Sequence, residues 1–303
     1  MSSYDLSVIA PCLDESLNIP ELTRRVLNVF ERGGLKGELI LVDDGSTDGS
    51  VELIKELALK HPESLVGVYH PENRGITDAW RSGVGAARAD VVAVIDADLQ
   101  YQPEDLLRLY RTLMENSLDV VQGWRSAVGR EKGTRFHVSR TFNTLLNKTF
   151  GMDLQDNKSG YVMAPKEVFE DLLTYNGNYR YWQSFIMVAA HAKGYSYKEI
   201  ETLFEKRRQG ESFLTGTTLS ASMSSIVDLG KAAWEYRIKR GKSTVSEQFL
   251  NKHPVEAAPK ARTVANAVRW RTYMSTFDQT HWMITKNVEN YYESLRKTQW
   301  LSA

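Results

Sequence analysis

From Val91 to Ile95 the chain is apolar at every position and mostly β-branched, and it then breaks off at Asp96-Ala97-Asp98. A short strand that is apolar on both faces must be covered on both, which is the condition of a central parallel strand. Helices are therefore required above and below a sheet, and the preceding sequence supplies them. Leu6 to Ala10 and Glu38 to Val42 read as strands, with Leu22, Val26, Val29 and Phe30 at helical spacing between them. Val51, Ile54, Leu57 and Ala58 mark a helix before a strand at Leu65 to Tyr69. Ile76, Ala79, Gly83 and Ala87 mark another before the strand that ends at Asp96. Pro103 suits a helix first turn, with Glu104 and Asp105 at the positive end of its dipole. Leu106, Tyr110 and Leu113 carry that helix toward a strand at Asp119 to Gly123. This alternation predicts an α/β fold, a Rossmann-like and mostly parallel sheet with helices on both faces.

Beyond residue 123 the pattern loosens. Leu145, Leu146 and Phe150 suggest one helix, Phe185 to Ala192 another, and Tyr195 to Phe204 a short strand. A polar stretch at 241–262 with Pro254 and Pro259 reads as a linker. After it, Ala267, Trp270, Met274, Phe277, His281, Ile284, Val288, Tyr291 and Leu295 alternate spacings of three and four. That seam is either a long helix lying on its own domain or a coiled-coil contact that makes a homo-oligomer. The expected division is an α/β domain over 1–215 and a helical C-terminal extension over 216–303.

Several function classes are set aside by composition. Lys+Arg and Asp+Glu balance at 38 each, so no global basic field argues for nucleic acid. A single cysteine, Cys12, excludes an intramolecular disulfide and a cysteine zinc cluster, and the six histidines lack metal-ligand spacing. No G-x-G-x-x-G follows a strand, which disfavours a dinucleotide-dependent dehydrogenase. The N-terminus shows no signal-peptide pattern, and no run approaches the roughly eighteen apolar residues of a membrane span. A cytoplasmic protein is expected, soluble or peripheral on the cytoplasmic membrane face.

The chemistry gathers at strand ends, where open α/β sheets bind ligands. Pro11-Cys12-Leu13-Asp14-Glu15 follows the first strand and Asp43-Asp44-Gly45-Ser46-Thr47-Asp48 the second, with Asp48 an expected N-cap. Asn73-Arg74-Gly75 follows the third, and Asp96-Ala97-Asp98-Leu99-Gln100 the fourth. Each could be turn chemistry alone. Asp96 and Asp98, hard oxygen donors with no His or Cys nearby, suit Mg²⁺ or Mn²⁺, which take one or two carboxylates and leave other positions to water and phosphate. A solvated turn is the competing reading.

In order and spacing these segments resemble the inverting nucleotide-sugar glycosyltransferases of family 2, above all the dolichyl- and polyprenyl-phosphate hexose synthases. The resemblance also rests on Gly123-Trp124-Arg125, Arg135-x-x-x-Ser139, Asp156-x-x-Ser159-Gly160-Tyr161 and Arg207-x-x-Gly210-Glu211-Ser212, and covers roughly residues 5 to 214. It implies a GT-A fold, a nucleotide-diphosphate sugar donor and a divalent metal, Mg²⁺ or Mn²⁺. By that likeness Pro11, Glu15, Asp43, Asp44, Asn73, Gly75, Asp96, Ala97, Asp98 and Gln100 line the nucleotide-sugar site. Asp96, Asp98 and Gln100 hold the metal, and Arg125, Arg135, Ser139 and Arg207 clamp phosphate. Asp96, Asp98, Arg125 and Asp156 are the catalytic candidates.

The acceptor decides the mechanism, because a hydroxyl must lose a proton to a base whereas a phosphate is already ionised. From Leu172 to Lys198 there is no Asp or Glu, and Gln183 falls where relatives that build polysaccharides carry an acid. This favours a polyprenyl-phosphate acceptor and a role in cell-envelope glycan assembly, with Asp156 the remaining candidate base. A hydroxyl acceptor on a glycan, protein or small molecule is the alternative, and a non-catalytic sugar-nucleotide-binding scaffold a second. Leu13-Asp14-Glu15 replaces the common Tyr-Asn-Glu, and Phe213 the usual lysine after Gly-Glu-Ser. Ile226, Leu229, Ala233, Trp234 and Tyr236, with Lys231, Arg237, Lys239, Arg240 and Lys242, form an amphipathic, basic-ended segment. It suits either an anionic membrane surface or the catalytic domain itself.

Overall fold

The computed structural model describes residues 4–125, 134–175, 179, 181–205 and 218–238, with 134–137 and 218–223 described as backbone only. The Arg207 segment, the 241–262 linker and the 267–295 seam lie outside the described residues. The order is β1 (Leu6–Cys12), α1 (Ile19–Gly33), β2 (Gly37–Asp43), α2 (Ser50–Lys60), β3 (Leu65–Tyr69), α3 (Ile76–Ala86), β4 (Val91–Val94), α4 (Leu106–Glu115) and β5 (Val120–Arg125). Then come α5 (Thr134–Phe150), β6 (Val162–Pro165), α6 (Lys166–Leu172), α7 (Ile186–Ala192), β7 (Tyr197–Thr202) and α8 (Thr218–Ala232). The strands form one sheet in the order β3-β2-β1-β4-β6-β5-β7.

Alternate residues of each strand feed opposite cores, as a strand covered on both faces requires. Ile9, Ile40, Val42, Val92, Val94 and Val162 pack with α3, α5, α6 and α7 on one side. Val8, Ala10, Leu39, Leu41, Val91, Ala93 and Ile95 pack with α1 and α4 on the other. The parallel pairs are β1 with β2 and β4, β2 with β3, and β5 with β7. Strand β6 runs antiparallel to both β4 and β5. Inserting one reversed strand keeps β4 and β5 pointing the same way, so Arg125 leaves the sheet at the edge where Asp96 does. The chain entering β6, residues 156 to 161, arrives there too. The chain winds outward from β1 to β3 and then crosses to β4 on β1's other side, which opens the switch-point crevice between β1 and β4.

The C-terminal part of the described chain is joined to this body. Tyr181 N donates to Asp228 Oδ2 at 3.0 Å and Tyr179 OH to Glu235 Oε2 at 2.7 Å. Tyr236 lies 6.1 Å from Trp182, ring to ring, and Arg237 donates to Thr149 O. Leu229, Ala232 and Tyr236 are buried in the α3-side core. Ile226, Val227, Trp234 and Ile238 remain exposed. Helix α8 and the π-type stretch Ala233–Ile238 thus have one face on the catalytic body and an apolar face outside it.

Candidate functional site

The turns after β1 and β2 are stitched together. Asp14, at φ 53°, donates from its N to Ser46 Oγ at 2.9 Å and accepts from Thr47 N at 2.8 Å. Ser16 N donates to Asp48 Oδ2 at 2.9 Å and Glu15 N to Ser50 Oγ at 3.2 Å. Asp48 also accepts from Ser50 N and Oγ at 3.0 and 2.6 Å, one residue before the N-cap, which is Gly49. Burial opposes the ionisation of Asp48, but the donors on Ser50 and Ser16 outweigh it and lower its pKa to about 2. The Cys12 thiol is pushed up by burial and by Glu15, Asp43 and Asp48, so it is inert.

The two aspartates after β2 differ. Asp43 Oδ2 accepts from Gly45 N at 3.2 Å and Ser46 N at 3.1 Å, while its buried Oδ1 has no protein partner. A buried acceptor left this way calls for a donor from outside the chain. Asp44 has both oxygens engaged, with Oδ1 accepting from Arg74 N at 2.9 Å and Oδ2 from Gly75 N at 2.8 Å. Gly45, at φ 82°, lies so close to the next turn that a Cβ would meet Asn73 N and Glu72 C at 2.7 Å each. Gly45→Ala is expected to cost about 1–3 kcal/mol in strain alone, and more because backbone must shift; a lowered urea midpoint would show it. Glu15 is buried and accepts from Asn18 Nδ2 at 2.6 Å, and Pro11 is half-buried at the end of β1.

At the end of β4, Asp96, Asp98 and Gln100 are half-exposed and alternate with buried Ala97 and Leu99. Asp98 Oδ1 accepts from Gln100 N at 3.0 Å. Gln100 Nε2 donates to Glu205 O at 3.0 Å, so its Oε1 is the atom that could serve a metal. A Cβ on Gly160 would lie 3.3 Å from Asp96 Oδ1, so the chain entering β6 runs close against this carboxylate. Among the described residues no three His, Cys, Asp or Glu form a metal cage by themselves. Two carboxylates and an amide oxygen fit an ion whose other positions go to phosphate and water.

Arg125 faces Asp156 fork to fork, Nε to Oδ2 at 2.5 Å and Nη2 to Oδ1 at 2.9 Å, with its guanidinium over Phe204. The 155–156 turn is fixed by Glu199, which accepts from Gln155 N at 2.6 Å and Asp156 N at 3.1 Å. Burial raises the Glu199 pKa, and those amides work against the rise. Asn143 and Asn147 of α5 donate to Leu154 O at 2.7 and 2.8 Å. Ser139, half-exposed, sits one turn earlier on α5, and Arg135 one turn before that. The Arg135 side chain and Arg207 lie outside the described residues. The structure therefore gathers Pro11, Glu15, Asp43, Asp44, Asn73 and Gly75 along β1 to β3, and Asp96, Asp98, Gln100, Arg125 and Asp156 along β4 to β6. His70 and Glu205 carried no local signal in the sequence, since their partners are distant along it.

Residues 7–173 match the family described as Glycosyl transferase family 2. The chain is 30% identical over 207 residues to undecaprenyl-phosphate 4-deoxy-4-formamido-L-arabinose transferase of Aeromonas hydrophila, covering 68% of this chain and 62% of that protein. It is 29% identical over 245 residues to dolichol-phosphate mannosyltransferase of Pyrococcus furiosus, covering 78% and 66%. The chain thus spans somewhat less than two thirds of the length of such relatives. Glucosyl-3-phosphoglycerate synthase of Mycobacterium tuberculosis, crystallised with UDP, superimposes with a TM-score of 0.57 at 21% identity, over 76% of this chain and 80% of that one. The same enzyme has been crystallised with Mn²⁺, UDP and glucosyl-3-phosphoglycerate. The shared fold is of the GT-A type.

Proposed function

Because the chain belongs to glycosyl transferase family 2, we propose that it moves a hexose from a GDP- or UDP-sugar to a polyprenyl phosphate, with inversion at the sugar carbon. The observation that carries the donor half is the row Asp96, Asp98 and Gln100, three half-exposed oxygen donors at the switch crevice. In this reading Asp43 Oδ1 receives an N–H of the base, and Glu15 and Pro11 close that end of the site. Asp96, Asp98 and Gln100 would hold Mg²⁺ or Mn²⁺, which neutralises charge gathering on the departing diphosphate. Arg125, oriented by Asp156, keeps its Nη1 edge for a phosphate oxygen, alongside Ser139, Arg135 and Arg207.

The acceptor half is supported by what the carboxylates are doing. Asp156, the candidate base, has both oxygens in the Arg125 fork. Asp228 and Glu235, beside the 179–183 segment, are tied to Tyr181 N, Lys231 and Tyr179 OH. A phosphate acceptor asks for no base. Among the described residues no helix is long and apolar enough to cross a membrane. The exposed stripe Ile226, Trp234 and Ile238, followed in sequence by Lys239, Arg240 and Lys242, would rest on an anionic bilayer that presents the lipid.

Calorimetry with GDP and UDP is expected to show binding of one of them that strengthens with Mn²⁺. Purified protein should then turn over the matching sugar nucleotide with polyprenyl phosphate in anionic vesicles. Turnover with hydroxyl acceptors alone would overturn the acceptor assignment, and tight nucleotide binding without turnover on any acceptor would make the protein a scaffold.

A further inference from the structure

His70 is buried to 6% exposure at the end of β3, and its ring joins two elements that meet at the donor edge. Its Nδ1 lies 2.7 Å from Asp44 Oδ1 and its Nε2 2.9 Å from Ser82 Oγ on α3. Its own N–H donates to Asp43 O at 2.9 Å, which fixes the ring's root on β2. Asp44 in turn holds the Arg74 and Gly75 amides. An acceptor-only carboxylate beside Nδ1 requires that nitrogen to carry a proton, and Nε2 pairs with the Ser82 hydroxyl, which can donate or accept. Helix α3 is itself fixed, for Gly83 packs so closely on β1 that a Cβ would meet Ile9 Cγ2 at 2.4 Å. The chain of contacts Ser82, His70, Asp44 and the 74–75 backbone therefore runs from a rigid helix to the turn that carries Asn73.

We infer that His70 is a positioning residue of the donor site, latching Asp44 so that the Asn73-Arg74-Gly75 turn is set before the sugar nucleotide arrives. The role rests on the donor reading above. It also has a consequence that is independent of any ligand: without the latch the Arg74 and Gly75 amides open more often.

Two variants separate the latch from bulk packing. Asparagine places an N–H near the Nδ1 position and can still donate to Asp44, whereas glutamine reaches toward Ser82 and leaves Asp44 without its side-chain donor. In the full-length protein with Mn²⁺, His70→Gln is expected to weaken nucleoside diphosphate binding and raise donor KM about tenfold, as loss of one hydrogen bond to a charged group implies. Its kcat at saturating donor should stay near the wild-type value. His70→Asn should bind almost as wild type does, and amide hydrogen exchange at Arg74 and Gly75 should accelerate in His70→Gln without nucleotide. If His70→Gln matches wild type in affinity and exchange, or if both variants lose only thermal stability, the latch is overturned. A wild-type protein that binds neither GDP nor UDP overturns the donor reading instead, and with it the substrate role of His70.

Discussion

Asp98→Ala is expected to lower sugar transfer by about two to three orders of magnitude, the scale for removing one group that stabilises developing charge. It should also abolish the Mn²⁺ enhancement of nucleotide binding. Asp98 is half-exposed at the open crevice, where its Oδ1 accepts from Gln100 N. Losing a hydrogen bond to this charged but half-exposed group should cost the fold about 1–3 kcal/mol, so a protein that still folds but has lost its Mn²⁺ response separates the site from stability. Asp98→Asn keeps the shape of the turn and an oxygen toward Gln100 N but removes the charge, so it should fall nearly as far in activity. An Asp98→Ala protein that still binds nucleotide tightly and still responds to Mn²⁺ would remove the metal site from β4.

Arg125→Met is expected to destabilise the protein by about 3–5 kcal/mol, because it strands a buried carboxylate whose partner is gone. Side-chain exposure is 17% for Arg125 and 7% for Asp156, so water offers Asp156 little relief. Asp156→Asn should cost less, since asparagine can still accept from the guanidinium while an arginine keeps some access to solvent. The double variant Arg125→Met with Asp156→Leu should recover part of the loss. Urea unfolding of wild type, Arg125→Met, Asp156→Leu and the double variant gives the coupling directly. If the single variants prove as stable as wild type, the pair is not a buried anchor, and Asp156 is again available as a base.

Legibility in the sequence followed the reach of each signal. Val91 to Ile95 announced a doubly covered central strand because its evidence lies within five residues, and Asp96, Asp98 and Gln100 follow it directly. Strand β6 had no such signal. It has four residues and ends at Pro165, and its partners β4 and β5 lie far earlier in the chain. Arg125 and Asp156 were both legible as candidates, but as a phosphate clamp and a base. Their mutual pairing, across 31 residues, belongs to tertiary structure. His70 was passed over for the same reason, since its partners stand 26 and 12 residues away. The amphipathic segment near Trp234 read as suited either to the catalytic domain or to a surface. In the structure one face of it, with Tyr236, is buried on the catalytic body and another, with Trp234, is exposed.

On the donor reading proposed above, the seam between the turns after β1 and β2 bears on any effort to retarget the protein toward another nucleobase. Asp14, Ser16, Ser46, Thr47 and Asp48 form one interlocked plate, and each bond in it crosses from one turn to the other. Grafting only the second turn would take Ser46 Oγ and Asp48 Oδ2 from the Asp14 and Ser16 amides they accept from. The two turns are a single cassette, and specificity should travel only when both are exchanged together.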